Sequence, residues 1–334
     1  MERGEDINAA DPARRATHWG KKYNAITYAL RGGENYRLQS MLEVVDRPLS
    51  GRGPPPARGY AAPMTLAVVT DSAAFLPPAL AAERGIGVVE LHAIEGDDGA
   101  TTARPSVAEL AEAYEAALSR ADEVLALHLT AVLSGTIDNA RLAAARFDGR
   151  VRVLDLGVSA GALGLAALAA ADADDARRGA ARARDSASRS RLFFLVDSLS
   201  HLRRGGRMDR TTAMVGGALG IRPILSADAG GLRVIEAVRG AGRARRRLIG
   251  LAVEEAGGGA PRRPRLPMRL VRLAVHYGDD PGAGLALEND LAEAMAQAGT
   301  RVEAILRSPV DAATRVHLGP GALGIVVAPA LARG

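Results

Sequence analysis

The stretch VLALHLTAVLSGTIDNARLAAARFDGRVRVLD, residues 124–155, decides the fold class. Its first six residues form a mainly apolar run that predicts a buried strand, and residues 151–155 predict a second strand. Between them lie a polar turn over 130–136 and a helical pattern over 137–146. A strand, a helix and a further strand within about thirty residues predict two parallel strands joined by a right-handed crossover.

The same alternation begins at Met64 and fills the first half of the chain. Helix 107–118 has a clear start, because Ser106 and Glu109 form the S-x-x-E pattern of a capping box. This unit is predicted to contain a mainly parallel sheet with helices on both faces. Its other predicted elements are strands 66–69 and 87–91 and helices 80–84 and 161–171.

A second unit follows the polar stretch RARDSASRSR, residues 182–191. Two short apolar runs flank Asp-Ala-Gly-Gly at 228–231, which predicts a hairpin and therefore a mixed sheet. The fold class is thus two α/β domains, 64–188 and 189–334, with a ligand cleft between them. The predicted strands are 192–196, 224–226, 232–235, 270–276, 301–306 and a final one from Ile325; the predicted helices are 199–204, 243–255 and 284–298.

Residues 1–63 differ in composition from the rest. They contain both lysines and the only tryptophan, and they end in the Gly/Pro-rich SGRGPPPARGYAAP, residues 50–63. Such a linker cannot hold a regular element. We therefore expect a poorly ordered N-terminal extension, with 23–45 as its one candidate helix, and a translation start at Met64 remains an alternative.

Composition excludes several classes of protein. The chain has no cysteine, which excludes thiol chemistry, and its six histidines show no metal-ligand spacing. It has no apolar run long enough to span a membrane, so a cytoplasmic protein without an integral membrane segment is expected. The net charge of +5 falls to +2 once residues 1–63 are set aside, and the basic clusters lack interleaved aromatics. Nucleic-acid binding is therefore not expected.

Near the C-terminus, HLGPGALGIVVAP at 317–329 contains the G-x-G-x-x-G spacing of a dinucleotide-binding turn. That turn needs a strand before the glycines and a helix after them, because the helix N-terminus holds the pyrophosphate. Here an apolar strand follows the glycines instead. The dinucleotide interpretation therefore fails. The glycines instead predict a tight turn beside His317, in which the backbone can approach a neighbouring group closely.

Two hydroxyl-bearing turns precede predicted helices, over Thr101–Ser106 and Thr130–Thr136. Hydroxyls at such places either cap the helix or hold an anion, and the sequence leaves both alternatives open. Their neighbours Val132 and Leu133 are apolar, as is Leu318 beside His317. An anionic head group on an apolar body fits this composition better than a sugar or a phosphate does.

From about residue 64 to residue 330, the chain resembles the DegV family of bacterial fatty-acid-binding proteins. The resemblance rests on six motifs in order. TARPS is similar to the family's T-S-Q-P-S, and TAVLSGT to its S-S-G-L-S-G-T. The six stretches are VVTDSAAFLP (68–77), TARPS (102–106), TAVLSGT (130–136), VDSL with HLRRGGRM (196–208), IRPIL (221–225) and HLGPGALG (317–324).

The resemblance implies a fatty acid lying between two α/β domains, with Thr102, Ser134 and His317 as ligands of its carboxylate. It implies Arg207 as part of the site or of a partner surface. It also implies that a separate ATP-dependent fatty-acid kinase phosphorylates the bound carboxylate for phospholipid synthesis, so the carrier needs no cofactor. The chain departs from the motifs at Ala103 and Arg104, which replace Ser and Gln, and at 131–132, which replace Ser-Gly.

Three other functions compete with the carrier. A hydrolase acting on acyl phosphates or esters would need an activated nucleophile, yet Ser134 lies in L-S-G rather than in a G-x-S-x-G elbow. The other two are a sugar or dihydroxyacetone-type binding module and a nucleic-acid-binding regulator. Lipid extracted from protein purified from its own host would separate these alternatives.

Overall fold

A computed structural model describes residues 25–26, 65–95, 100–206, 220–228, 230–258 and 270–330. The strands of these residues are β1 (Ala25–Ile26), β2 (Leu66–Asp71), β3 (Ile86–Val89), β4 (His92–Ile94), β5 (Thr101–Ala103), β6 (Glu123–Leu127), β7 (Val151–Leu154), β8 (Arg191–Leu195), β9 (Ile221–Asp228), β10 (Gly231–Arg239), β11 (Val271–Tyr277), β12 (Val302–Pro309) and β13 (Leu323–Pro329). The helices are α1 (Pro78–Glu83), α2 (Val107–Leu118), α3 (Thr136–Ala144), α4 (Ala160–Ala171), α5 (Ala176–Arg189), α6 (Ser200–Arg204), α7 (Ala241–Glu255), α8 (Pro281–Gln297) and α9 (Ala312–Leu318).

These strands form two main sheets. The first has the order β3-β2-β6-β7, and all of its pairs are parallel. The second has the order β1-β12-β11-β13-β8-β9-β10, in which β11 and β12 are parallel and the other pairs antiparallel. A small antiparallel pair, β4 with β5, stands apart. The predicted fold class, a parallel first sheet and a mixed second one, is confirmed.

The two sheets share a central helical layer. Helices α2 and α3 cover the outer face of the parallel sheet, and α7 and α8 cover the outer face of the mixed sheet. Helices α4 and α5 lie between the two sheets and contact strands of both. The largest apolar cluster accordingly contains side chains of both domains, such as Leu125 of β6, Leu165 of α4 and Val326 of β13.

Helix α4 is suited to this central position because its sequence, AGALGLAALAAA, is apolar all round. Every residue from Ala160 to Ala170 is buried. A helix without a polar face has to be enclosed on all sides. Its small residues permit close packing: no Cβ would fit at Gly164 beside the carbonyl oxygen of Ala74, or at Gly161 beside His276.

His276 ties the start of α4 to the mixed sheet. Its Nε2 accepts a hydrogen bond from the backbone N–H of Gly161 at 3.2 Å, and its Nδ1 lies 3.0 Å from Ser308 Oγ. The ring is completely buried and packs edge-on against Phe75 at 5.0 Å between ring centres. Burial lowers the pKa of His276 to about 3, so the ring is neutral and can accept the Gly161 hydrogen.

Most predicted elements are present with bounds shifted by a few residues, and α2 spans the predicted 107–118. Its capping box is formed, since Ser106 Oγ accepts from Glu109 N at 3.2 Å and Glu109 Oε2 accepts from Ser106 N at 2.7 Å. One expectation needs correction, because Thr102 lies in strand β5 rather than in a turn. Helix α5, which includes most of the polar stretch 182–191, is not among the predicted elements.

Little of the N-terminal extension belongs to the described residues. Within it, Ala25–Ile26 is a short strand that pairs antiparallel with β12, so the candidate helix over 23–45 is wrong at these two positions. The expected disorder of 1–63 otherwise lies outside the described residues. The domain boundary at 188/189 stays a prediction: the parallel sheet precedes it, and β8 begins at Arg191.

The buried His276 predicts acid sensitivity. Its pKa is lower in the folded state than the ordinary value of 6.5, so its stabilising contribution is complete above pH 6.5 and is lost as the pH falls towards 3. The free energy of unfolding should fall in this range by up to about 1.4 kcal/mol per pH unit from this group alone. Denaturant titrations of wild type and His276→Gln should show the wild type losing more stability between pH 7 and pH 4.

His92→Gln is the matched control for that titration, because His92 is partly exposed and pairs with Glu109 at 2.8 Å between Nε2 and Oε1. Its pH profile should not show the reduced acid sensitivity of His276→Gln. Parallel profiles for wild type and His276→Gln would contradict the prediction.

Candidate functional site

A cavity of about 390 Å³ lies between the two sheets, within the size range of small-molecule pockets. The segments that follow the strands of the parallel sheet form one side of it, and β8, β10, α6 and α9 form the other. The carboxyl ends of parallel strands are the usual place for a ligand in α/β proteins. The first side includes Leu91 after β3, Ala73 and Phe75 after β2, Leu129 after β6, and Ser159 and Ala160 after β7.

Two predicted ligand residues meet across the domains. Thr102 Oγ1 lies 3.1 Å from His317 Nε2, although the two residues are 215 positions apart in the chain. Thr102 stands in β5, which the short pairing with β4 holds beside the cavity. His317 stands in the last turn of α9. The hydroxyl and the imidazole thus form one polar group on the cavity wall.

Ser134 lines the same cavity, just before α3. The turn that carries it is held by two backbone hydrogen bonds, in which Leu133 N and Ser134 N donate to Thr130 O at 3.0 and 3.1 Å. Its Oγ lies 2.8 Å from Thr136 Oγ1 and accepts from Thr136 N at 3.3 Å. The helix N-cap itself is Gly135, which has no side chain to cap with. Ser134 therefore supports the helix start and also lines the cavity.

Thr102, Ser134 and His317 are thus brought together in one cavity, while the fourth predicted site residue, Arg207, lies outside the described residues. The sequence did not identify the aromatic and aliphatic wall, which includes Phe194 of β8 and Leu202 of α6. It also did not assign Arg104 to the site, although this residue lines the cavity. In the sequence, only one feature of Arg104 could have indicated a role in the site: it replaces the Gln of the T-S-Q-P-S motif that TARPS resembles.

The wall of the cavity contains two strained backbone positions. Phe75 and Ala160 both have positive φ angles, of 50° and 53°, and only one other described non-glycine residue, Asp148, shares this conformation. Left-handed conformations of residues with a Cβ cost about 1–2 kcal/mol each and persist where the surrounding structure imposes them, commonly at functional sites. Ala160 is the first residue of helix α4, and Phe75 lies between β2 and α1.

Behind this wall, a buried polar network fixes the ends of β2 and β6. Asp71 accepts hydrogen bonds from the backbone N–H groups of Ala73 and Leu129 at 3.2 and 2.8 Å. Its Oδ2 lies 3.1 Å from His128 Nδ1, and His128 Nε2 lies 2.8 Å from the hydroxyl of Tyr114. Burial raises the pKa of Tyr114, so its phenol keeps its proton in this hydrogen bond. All three side chains are fully buried, so the network positions cavity residues without reaching the cavity.

The glycines of HLGPGALG serve close packing. Helices α6 and α9 contact each other reciprocally: His201 of α6 lies against Gly319, and His317 of α9 lies against Gly205. Gly321 likewise leaves no room for a Cβ beside the carboxylate of Asp197. A helix precedes this turn and β13 follows it, so the order is the reverse of a dinucleotide-binding turn, as predicted.

Two further properties concern the described residues. Among them, no group of three or more His, Asp or Glu side chains is arranged to hold a metal ion. In the same part of the chain, the helices are too short or too polar to cross a membrane.

Comparison with known proteins identifies relatives that match most of the chain. A family model described as "Uncharacterised protein, DegV family" matches residues 93–330. A DegV domain-containing protein of Streptomyces coelicolor is 36% identical over 291 residues, covering 78% of this chain and 98% of the relative. A DegV family protein of Thermus thermophilus, solved in a study of its fatty acid binding, is 28% identical with a TM-score of 0.68 over 80% of this chain and 100% of its own. DegV of Bacillus subtilis, a fatty acid binding protein, is 28% identical with a TM-score of 0.66 over the same shares.

The contact between His317 and Gly205 gives a test of the site geometry. In Gly205→Ala the new methyl group would overlap the His317 ring, so the ring has to move, and overpacking of this kind costs about 1–3 kcal/mol. Chemical denaturation should show this loss, and the ring resonances of His317 in NMR spectra should shift.

Gly206→Ala is the matched control, since Gly206 has a φ of +66° and no neighbour within 4 Å of an added Cβ. It should lose about 1–2 kcal/mol through backbone strain alone and leave the His317 signals in place. Unchanged His317 resonances in Gly205→Ala would show that the ring does not lie where the structure places it.

Proposed function

The chain belongs to the DegV family, and on this premise we propose that it binds a long-chain fatty acid in the cavity between its two domains. One observation carries the proposal. A cavity walled mainly by apolar side chains, most of them buried, brings together Thr102, Ser134 and His317. The two family members from Thermus thermophilus and Bacillus subtilis are fatty acid binding proteins, which supports the same ligand here.

The apolar wall supplies the affinity in this proposal. Burial of a methylene group contributes roughly 0.8 kcal/mol, so about ten buried methylenes contribute on the order of 8 kcal/mol before the cost of ordering the chain is subtracted. The wall offers side chains from both domains for this contact, including Phe75, Leu129, Phe194, Leu202 and Leu318. The polar residues then need only to orient the carboxylate.

We place the carboxylate at Thr102, Ser134 and His317. Each can donate a hydrogen bond to an anionic oxygen, and bonds to charged groups are stronger than those between neutral groups. The 3.1 Å contact between Thr102 and His317 joins residues of the two domains in this polar cluster. A bound carboxylate would therefore contact both domains at once and favour their observed arrangement.

We further propose that this protein presents the carboxylate to a separate cytoplasmic fatty-acid kinase. The kinase would transfer the γ-phosphoryl group of ATP to the carboxylate, giving an acyl phosphate for phospholipid synthesis. The carrier needs no cofactor for this role, in keeping with a glycine turn that lacks a following helix. Helix α6 offers a docking surface, because the exposed Arg203 and Arg204 directly precede Gly205, which contacts His317.

The arrangement does not favour hydrolysis, which was the alternative. Ser134 Oγ exchanges hydrogen bonds with Thr136, and no described imidazole is bonded to it. The Asp71–His128 pair does resemble part of a catalytic triad, but its third member is Tyr114 and all three are fully buried. An activated nucleophile has to be reachable by the substrate.

The head-group assignment predicts a difference between charged and neutral ligands. Ser134→Ala and His317→Ala should each weaken binding of palmitate by about ten- to a hundredfold, the effect of losing a hydrogen bond to a charged group of about 1.5 to 3 kcal/mol. Binding of the methyl ester should change less. Titration calorimetry on delipidated protein would measure all three proteins with both ligands.

Ser106→Ala is the control for simple capping. It removes the N-cap of α2 outside the cavity, so it should cost about 1 kcal/mol of stability and leave affinity unchanged. If wild type binds the ester as tightly as the acid, the head-group site is wrong.

The kinase proposal predicts that some substitutions impair docking of the kinase without changing the affinity for the fatty acid. Arg204→Gln and Arg207→Gln should reduce ATP-dependent acyl-phosphate formation by an added fatty-acid kinase, while palmitate affinity stays unchanged, because complementary charge governs encounter with the partner. Arg184→Gln, an exposed arginine of α5, is the control of equal charge. Loss of palmitate binding in Arg207→Gln would instead place that residue in the pocket.

A further inference from the structure

Arg104 has an unusual position for a cation. It directly follows β5, it is exposed, and it also lines the cavity, so it lies where the cavity meets solvent. Its guanidinium rests on Gly135, the N-cap of α3, so closely that no Cβ would fit at that glycine. Ser134, which also lines the cavity, is the neighbour of this glycine.

The electrostatics of this position are unfavourable without an anion. The N-terminus of a helix carries partial positive charge, so cations are disfavoured there and anions are stabilised. No carboxylate of the described residues forms an ion pair with Arg104. Asp138, in the first turn of α3, is exposed and pairs with Arg141 at 3.6 Å. Two positive groups, the guanidinium and the helix end, therefore meet at the rim of the cavity.

We propose that Arg104 adds to the selectivity of this cavity for an anionic head group, by pairing with the carboxylate of the bound ligand. The inference rests on the proposed fatty-acid function and adds a ligand residue to it. Hydroxyls and an imidazole can also hydrogen-bond to the oxygens of an ester or an alcohol, although less strongly than to a carboxylate. A guanidinium adds a permanent charge and a planar pair of donors that matches a carboxylate.

The pairing would also neutralise both positive groups at the rim. An anion between Arg104 and the start of α3 would interact favourably with the guanidinium and with the helix end. Because Arg104 is exposed, solvent screens this interaction, and its strength is that of a surface ion pair rather than a buried one. The carboxylate of the ligand would then bind at the mouth of the cavity, and its alkyl chain would contact the buried wall.

The test compares palmitate with its methyl ester and with hexadecanol in wild type, Arg104→Gln and Arg104→Lys. Arg104→Gln should weaken palmitate binding by about two- to fivefold and leave the two neutral ligands unchanged. Arg104→Lys should keep most of the palmitate affinity. Added NaCl should weaken palmitate binding in wild type more than in Arg104→Gln, because salt screens exposed charge pairs.

Arg146→Gln is the matched control, since Arg146 is exposed beyond the other end of α3 and does not line the cavity. It should behave as wild type. Unchanged palmitate affinity in Arg104→Gln would overturn the inference while leaving the proposed function intact. Equal losses for palmitate and for the neutral ligands would also overturn it, because Arg104 would then act through shape. If wild type binds none of the three ligands, the proposed function fails and this inference fails with it.

Discussion

Burial of helix α4 between the two sheets is the constraint on which the rest of the structure depends. Its twelve residues are Ala, Leu and Gly only, so no face of it can be left in water. One sheet can cover only one side of a helix. The second sheet covers the other side, and the two domains therefore share a single apolar cluster. Small residues at Gly161 and Gly164 make the approach close enough for this packing.

The position of the cavity follows from the same packing. Helix α4 begins at Ala160, in a left-handed conformation, at the edge where the strands of the parallel sheet end. There the two sheets are separated by turns instead of by the helix, and the space between them forms the cavity. The neutral, buried His276 holds the first turn of the helix to the mixed sheet, and the Asp71 network holds the strand ends. Both sides of the cavity are thus fixed by buried polar contacts.

The two domains contribute different parts of the site. The first domain provides Thr102, Ser134 and Arg104, while the second provides His317 and much of the apolar wall. This division suits a ligand with a small anionic head and a long apolar body, because the head can bridge the domains while the body fills the space between them. It also places the basic helix α6 next to the residues proposed to bind the head group, through the contact between Gly205 and His317.

The sequence by itself determined most of the elements and the two-sheet fold, because apolar periodicity and capping patterns such as Ser106 with Glu109 act over a few residues. It also excluded the dinucleotide turn, since the apolar strand that directly follows the glycines can be read along the chain. The resemblance of its motifs indicated Thr102, Ser134 and His317 as ligands, but residues 215 positions apart meet only after folding. Only the tertiary structure decided that contact, the place of Arg104 over Gly135 and the neutrality of His276. Each depends on packing between elements distant in sequence, and local patterns carry no information about such packing.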